Sequence, residues 1–223
     1  MSSALRVELE SLLRHRQLDR TLTTNTWADI SRDVAATGLE ILDEQLGGGI
    51  ARGHLSELVG PRSSGRTTVV CRMFRAAANR GEAIAFIDTC DRFDPASAAA
   101  SGVDLSKLLW VRERGDASRA LKAMNLVLQA GGFGLVVFDV ADVAPIALRQ
   151  FPYTTWMRIA RVIEGSQTAA VVIAAERTAR SPGGVTIALE PATDASRAQW
   201  SGAADRARFL RGIELRTRVI GGR

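Results

Sequence analysis

From about residue 38 onward, short apolar runs alternate with segments of helical period, and this alternation constrains the chain more than any other feature. The runs are HLSELV (54–59), AIAFID (83–88), LLWVR (108–112), LVVFDV (135–140) and AAVVIAA (169–175). Between them lie GRTTVVCRMFRAAANR (65–80), DASRALKAMNLVLQAG (116–131) and YTTWMRIARVIEGS (153–166), each with apolar positions spaced to form one helical face. Strands that are apolar throughout must be covered on both faces, which requires a mostly parallel sheet with a helical layer on each side. Two later segments, VTIALE (185–190) and ARFLRGIELRTRVI (207–220), have no long helix between them and read as antiparallel strands extending that sheet. With 46% apolar and 24% charged residues in a chain of 223, one sizeable core is expected.

The N-terminal segment has a different character. Leu5, Leu9, Leu12 and Leu13 fall on one stripe of a helix, with Arg6, Glu8, Glu10 and Arg14 elsewhere, and a linker rich in Thr, Asn and Asp follows. The reading is an N-terminal helix and linker over residues 1–36 and a core domain over 37–223. The leucine stripe either packs on its own domain or docks on a partner. No apolar run approaches the roughly 18 residues of a membrane span, and there is no signal-peptide block, so a cytoplasmic protein without membrane contact is expected. Two cysteines without CxxC spacing and two histidines give neither a metal-ligand nor a disulfide signature.

Charge is uneven. Residues 177–223 hold nine arginines against four acids, which accounts for the whole net charge of +5. Such a segment meets phosphate backbones or an acidic protein surface, or is a solvated face in a chain that uses 27 arginines and two lysines.

The most specific motif is Gly60-Pro61-Arg62-Ser63-Ser64-Gly65-Arg66-Thr67-Thr68, which fits the phosphate loop G-x-x-x-x-G-K-[ST] except that Arg66 replaces the lysine. It follows an expected strand and opens an expected helix, the context in which glycines let backbone N–H groups and a helix N-terminus face phosphates. The Thr67 hydroxyl is placed for magnesium. Arg66 keeps the charge but brings a broad planar fork in place of a compact ammonium, so the exchange is not conservative. About 70 residues on, Asp139 ends the run LVVFD, where a carboxylate holds the magnesium's water shell.

The stretches TGLEILDEQLGGGIARGHLSELVGPRSSGRTT and AFIDTCDRFDPASAAASGVDLSKLLWVR, together with Asp139, resemble the core of the RecA recombinases over roughly residues 37–176. The resemblance implies a RecA-type ATPase fold and a site for ATP and magnesium built on Gly60, Ser63, Ser64, Gly65, Arg66, Thr67, Thr68, Asp94 and Asp139. Here Asp94 takes the place of the family's adenine contact, while Thr67 and Asp139 serve the metal through the nucleotide.

Several family positions are changed. The water-activating glutamate is replaced by Cys90, the tyrosine that stacks on adenine by Ser97, and the γ-phosphate-sensing glutamine by Glu176. A thiol without a strongly lowered pKa is no base at neutral pH. Only RTARSPGGV follows the AAVVIAAE strand where recombinases carry a long DNA-gripping loop, leaving Arg177 and Arg180 as the candidate contacts to single-stranded DNA. These departures imply weak or absent ATP use and no strand exchange. With the altered phosphate loop, the segment LRQFPYTTWMRIARVIEGSQTAAVVIAAE (148–176) and the Arg-rich close GIELRTRVIGGR (212–223), the chain is similar to the ImuA group of mutagenesis accessory proteins, which implies contacts with an ImuB-like protein and with RecA through the N-terminal leucines and through Arg216 and Arg218. A DNA-dependent ATPase with relocated groups, such as Asp91 or Glu176 as base, and a DNA-binding module with a vestigial nucleotide site are the alternatives.

Overall fold

The structure, a computed structural model, describes residues 33–179, 183–190, 198–201, 209–213 and 216–220. The chain divides into two compact units, Met1–Arg32 and Asp33–Arg223. The leucine stripe and Arg180 lie outside the described residues.

Seven strands form one sheet, in the order β11-β8-β3-β7-β6-β4-β5. They are β3 (Leu55–Val59), β4 (Ala83–Asp88), β5 (Leu108–Arg112), β6 (Phe133–Asp139), β7 (Ala169–Ala174), β8 (Thr186–Leu189) and β11 (Thr217–Ile220). All neighbouring pairs are parallel except β11 with β8. A short ladder joins β1 (Val34–Ala35) to β2 (Ile50–Ala51), and β9 (Ala198–Ser201) pairs with β10 (Phe209–Ile213) in a separate ribbon.

The expected α/β class with a mostly parallel sheet is observed, with two differences in the C-terminal strands. VTIALE contributes β8, which runs parallel to β3 and antiparallel only to β11. ARFLRGIELRTRVI is not one strand but two, β10 and β11, in different sheets. Periodicity identifies a strand but carries no information about the direction of its neighbour, which the return path of the chain decides.

Alternation along each strand divides the core into two layers. Ile84 and Phe86 of β4 and Leu135 and Val137 of β6 face helix α2 (Arg66–Asn79), which buries Val69, Val70, Met73, Phe74 and Ala77 on one stripe. Ala85, Ile87, Val136 and Phe138 point the other way, toward α4 (Ala117–Ala130) and α6 (Tyr153–Ile163), which contribute Ala120, Met124, Trp156 and Ile159. At roughly 1.5–3 kcal/mol per large side chain removed from water, either layer outweighs any single polar contact in the domain. Two short helices, α1 (Glu40–Leu46) and α3 (Pro95–Ala100), and the single turn α5 (Pro145–Leu148) complete the unit.

A half-buried arginine and a buried glutamate tie loops to this frame. Arg52 donates to the carbonyls of Gln167 (2.6 Å) and Gly134 (3.4 Å) and pairs with Glu82 at 2.5 Å. Glu57, 2% exposed in the middle of β3, accepts from the amides of Thr178 (2.7 Å) and Ala179 and from the Thr186 hydroxyl (3.2 Å). The segment leaving β7 is thereby bound back along the sheet, and Ala179 joins the second core layer. Among the described residues, no helix is long and apolar enough to cross a membrane.

Candidate phosphate-binding site

The C-terminal ends of β3, β7, β6 and β4 lie side by side, with Val59 opposite Ala174, Ile173 opposite Asp139, and Asp139 opposite Asp88. In open α/β sheets the crevice beyond such strand ends is where ligands bind. The phosphate loop rises from β3 at this rim. Its first residue is held down by a bond from the Gly60 amide to the Ala174 carbonyl (3.3 Å). A Cβ on Gly60 would lie 2.5 Å from Ser64 Oγ and 3.0 Å from Leu189 Cβ, so the closely wound loop excludes any side chain there. Gly65 adopts φ 96° and Ser63 φ 62°, left-handed conformations that turn the loop into α2.

No side chain caps α2, so the N–H groups of its first turn stand open at the positive end of a 14-residue helix. Within the cradle, Ser64 Oγ and Arg66 Nη1 are buried without hydrogen-bond partners. Buried polar groups in native proteins are nearly always satisfied, and two orphans at one loop mark a place for an acceptor-rich ligand. The donors present fit a phosphate chain. The Thr67 and Thr68 side chains are exposed at the same turn.

Asp139 faces this cradle. Burial pushes its carboxyl up to about 6, with the neighbouring Asp88 and Asp142 adding to the rise. The Ala141 amide, donating at 2.9 Å, and the charge of Arg66 oppose it. The structure therefore brings Arg66 and Asp139 into electrostatic contact, as the motif spacing predicts. A carboxyl so reluctant to ionise gains most when a cation arrives beside it. Thr67 and Asp139 fit the magnesium of a bound nucleotide, which would neutralise developing phosphate charge there.

Asp88 has a different role. Its oxygens accept from the amides of Arg92 (3.0 Å) and Phe93 (2.8 Å) and from Trp110 Nε1 (3.3 Å), and Phe93 continues an edge-to-face series through Phe86 to Phe74. This packing fixes the turn that carries Cys90. Burial pushes the Cys90 thiol up, and Asp142, Asp139 and Asp88 push it further, with Arg92 alone opposing. The group in the glutamate's place is therefore a neutral thiol.

Asp91, in the left-handed region at φ 56°, is held by Arg112 through Nε (2.7 Å) and Nη2 (2.8 Å), and that guanidinium also covers the Trp110 ring at 4.4 Å. Asp94 caps α3, accepting from the Ala96 amide (3.1 Å) and from the amide and hydroxyl of Ser97. Glu176 and Arg177 are exposed beyond β7. Arg216 and Arg218 are exposed at the far edge of the sheet, on and beside β11. Sequence reasoning did not single out Arg62, Arg92 and Asp142, which three separate loops bring together at the rim. Nothing in their spacing could have linked them.

Comparison with known proteins agrees with this architecture. The RecA N-terminal domain matches residues 19–149, more than half of the chain. RecA of Deinococcus radiodurans is 40% identical over 116 residues, covering 51% of this chain and 32% of that protein. RecA of Borrelia hermsii is 37% identical over 114 residues, covering 50% and 32%. The matched segment thus spans about a third of the length of these relatives. The crystal structure of the RadB recombinase superposes with a TM-score of 0.53 at 19% identity, covering 70% of this chain and 83% of that one, a likeness of fold. With the strand-end crevice, the phosphate loop and the matched sequence in agreement, the chain belongs to the RecA N-terminal domain family.

Proposed function

We propose that this protein is a nucleotide-responsive accessory factor of the bacterial DNA-damage response, which binds Mg-ATP with little hydrolysis and acts in translesion mutagenesis through an ImuB-like partner and RecA. The observation that carries this reading is the pairing of a formed phosphate cradle with a neutral thiol where a base is needed. Ser64 and Arg66 present unfilled donors, while burial, reinforced by Asp142, Asp139 and Asp88, keeps the proton on Cys90. Binding without turnover makes a nucleotide a state marker, not a fuel. Contacts with partners then fall to the N-terminal leucines and to the exposed Arg216 and Arg218.

Asp91 is a poor substitute base, because both of its oxygens are engaged by Arg112. The exposed Arg177 remains the described candidate for contact with single-stranded DNA, at the start of the segment that Glu57 fastens down. Calorimetric titration with Mg-ATP, with and without single-stranded DNA, followed by phosphate release on the same samples, tests the proposal. Binding with negligible release is expected. DNA-stimulated turnover abolished by Asp139→Ala would establish the ATPase reading instead, and no binding at all would leave the loop a structural relic.

A further inference from the structure

Three loops at the strand ends carry a charge triplet. Arg62 lies in the phosphate loop, Arg92 in the turn after β4 and Asp142 in the turn after β6. The Nε atoms of the two arginines stand 3.9 Å from Asp142, Arg62 facing Oδ1 and Arg92 facing Oδ2. At that separation neither contact is a hydrogen bond, so both guanidinium forks keep their donors. The arginine side chains are 82% and 68% exposed, against 26% for the carboxylate between them. One carboxylate cannot neutralise two guanidiniums, and the triplet keeps a net positive charge.

Its position is set by its neighbours. Arg62 lies in the phosphate loop itself, and Arg92 and Asp142 follow the neighbouring strand ends Asp88 and Asp139, which stand opposite each other in the β4–β6 register, so the triplet lies on the Asp139 side of the cradle. The cradle itself holds the unpartnered Ser64 hydroxyl, in a residue 4% exposed, and the unpartnered Arg66 Nη1. Ser64 and Arg66 would hold a polyphosphate there, with Asp139 available to its metal, and the outermost phosphate would then be within reach of the same rim.

We propose that Arg62 and Arg92 are the seat for the terminal phosphate of a bound nucleoside triphosphate, and that Asp142 holds the two guanidiniums together until that phosphate displaces it. This inference rests on the nucleotide-binding reading of the cradle. A terminal phosphate offers three acceptor oxygens and more than one negative charge, and planar forks grip such a group bidentately. A diphosphate fills the cradle but leaves the seat empty. The triplet therefore gives this chain a means of telling triphosphate from diphosphate where the lysine and the sensing glutamine of the recombinases are replaced by Arg66 and Glu176.

The test uses the full chain and calorimetric titration with the magnesium complexes of ADP and of the β,γ-imido analogue of ATP. Wild type, Arg62→Ala/Arg92→Ala, the double lysine variant and Asp142→Asn are compared, with melting temperatures to verify folding. The alanine pair is expected to weaken analogue binding by about tenfold or more, with ADP affinity kept within about twofold, as for loss of charge-assisted phosphate contacts. The lysine pair is expected to recover part of the loss, and Asp142→Asn to tighten analogue binding several-fold. An unchanged analogue-to-ADP ratio in the alanine pair, or an equal loss of both ligands, overturns the seat while leaving the cradle reading intact. Wild type binding neither ligand overturns both. Should the alanine pair fail to fold, Asp142→Asn decides alone, and unchanged or weaker analogue binding overturns the proposal.

Discussion

Replacing Asp139 by asparagine is expected to stabilise the ligand-free protein at neutral pH and to lose its grip on magnesium-bound nucleotide. The carboxyl is partly withdrawn from water, opposite Asp88 across the β4–β6 register, and burial raises its pKa to about 6 against an ordinary 3.8. A difference of about two units, at 1.36 kcal/mol each, means that ionised Asp139 costs the fold about 3 kcal/mol. The sign follows from the direction of the shift. Below about pH 4 both folded and unfolded chains hold the proton and the cost is absent. Between about pH 4 and 6 the folded state keeps a proton that the unfolded state releases, so stability falls as pH rises, and above about 6 the full cost is present.

Asparagine retains the acceptor for the Ala141 amide but carries no charge. Its added N–H group lowers the gain by about 1 kcal/mol where it finds no acceptor. Urea unfolding in the presence of a chelator should therefore show the variant more stable by about 2–3 kcal/mol at pH 8, with a difference near zero at pH 4. A melting temperature higher by roughly 4–12 °C at pH 8 is the equivalent thermal result for a domain of this size. Titration of the same protein with Mg-ATP should show at least about a tenfold loss of affinity, the expected conflict between stability and function at a site that stores an unfavourable charge. A variant no more stable than wild type at pH 8, or one whose advantage persists unchanged at pH 4, would refute the argument.

Other consequences follow from the same geometry. Cys90→Glu restores a carboxylate at the base position and should raise phosphate release by about a hundredfold where the missing base alone limits turnover; an unchanged rate would place the deficit at Arg66. With its thiol pushed up by burial and three carboxylates, Cys90 should react slowly with iodoacetamide at pH 7 and much faster above pH 9, which mass spectrometry resolves from Cys71. Glu57→Gln should cost about 2–4 kcal/mol in urea and speed hydrogen exchange at Thr178 and Ala179, since the charge that binds their amides is lost; unaltered exchange there would contradict the anchoring role. Glu82 is pushed up by burial, but bonds from Arg80 and Arg52 outweigh this and hold its carboxyl below the usual range, so its support for the fold is present above about pH 4.5 and lost as pH falls. Arg80→Ala and Arg52→Ala should each reduce that acid dependence in pH-resolved melting curves.

Much of the architecture was legible before any coordinates. The alternation of apolar strands with helical stripes specified a parallel sheet with two helical layers, because strands such as AAVVIAA must be hidden on both faces and period alone separates them from VVCRMF. Gly60, Gly65 and the residues between them specified the phosphate cradle for a similarly local reason, since a loop that closes on a helix N-terminus leaves space for no Cβ at Gly60. The substitution of Cys90 was equally visible in sequence. Only the tertiary structure decided its consequence, because the thiol's proton is held by burial and by three carboxylates, of which Asp142 and Asp139 come from the end of β6 and Asp88 from the end of its own strand. The same is true of β8, parallel to β3 through pairing that no local pattern encodes, and of Glu57, whose charge is satisfied by amides 121 and 122 residues away. Arg62, Asp142 and Arg92 belong to the same class. Backbone propensity and spacing act over a few residues and are written in the sequence, whereas electrostatic coupling acts through space, and the sheet order alone determines which distant charges meet.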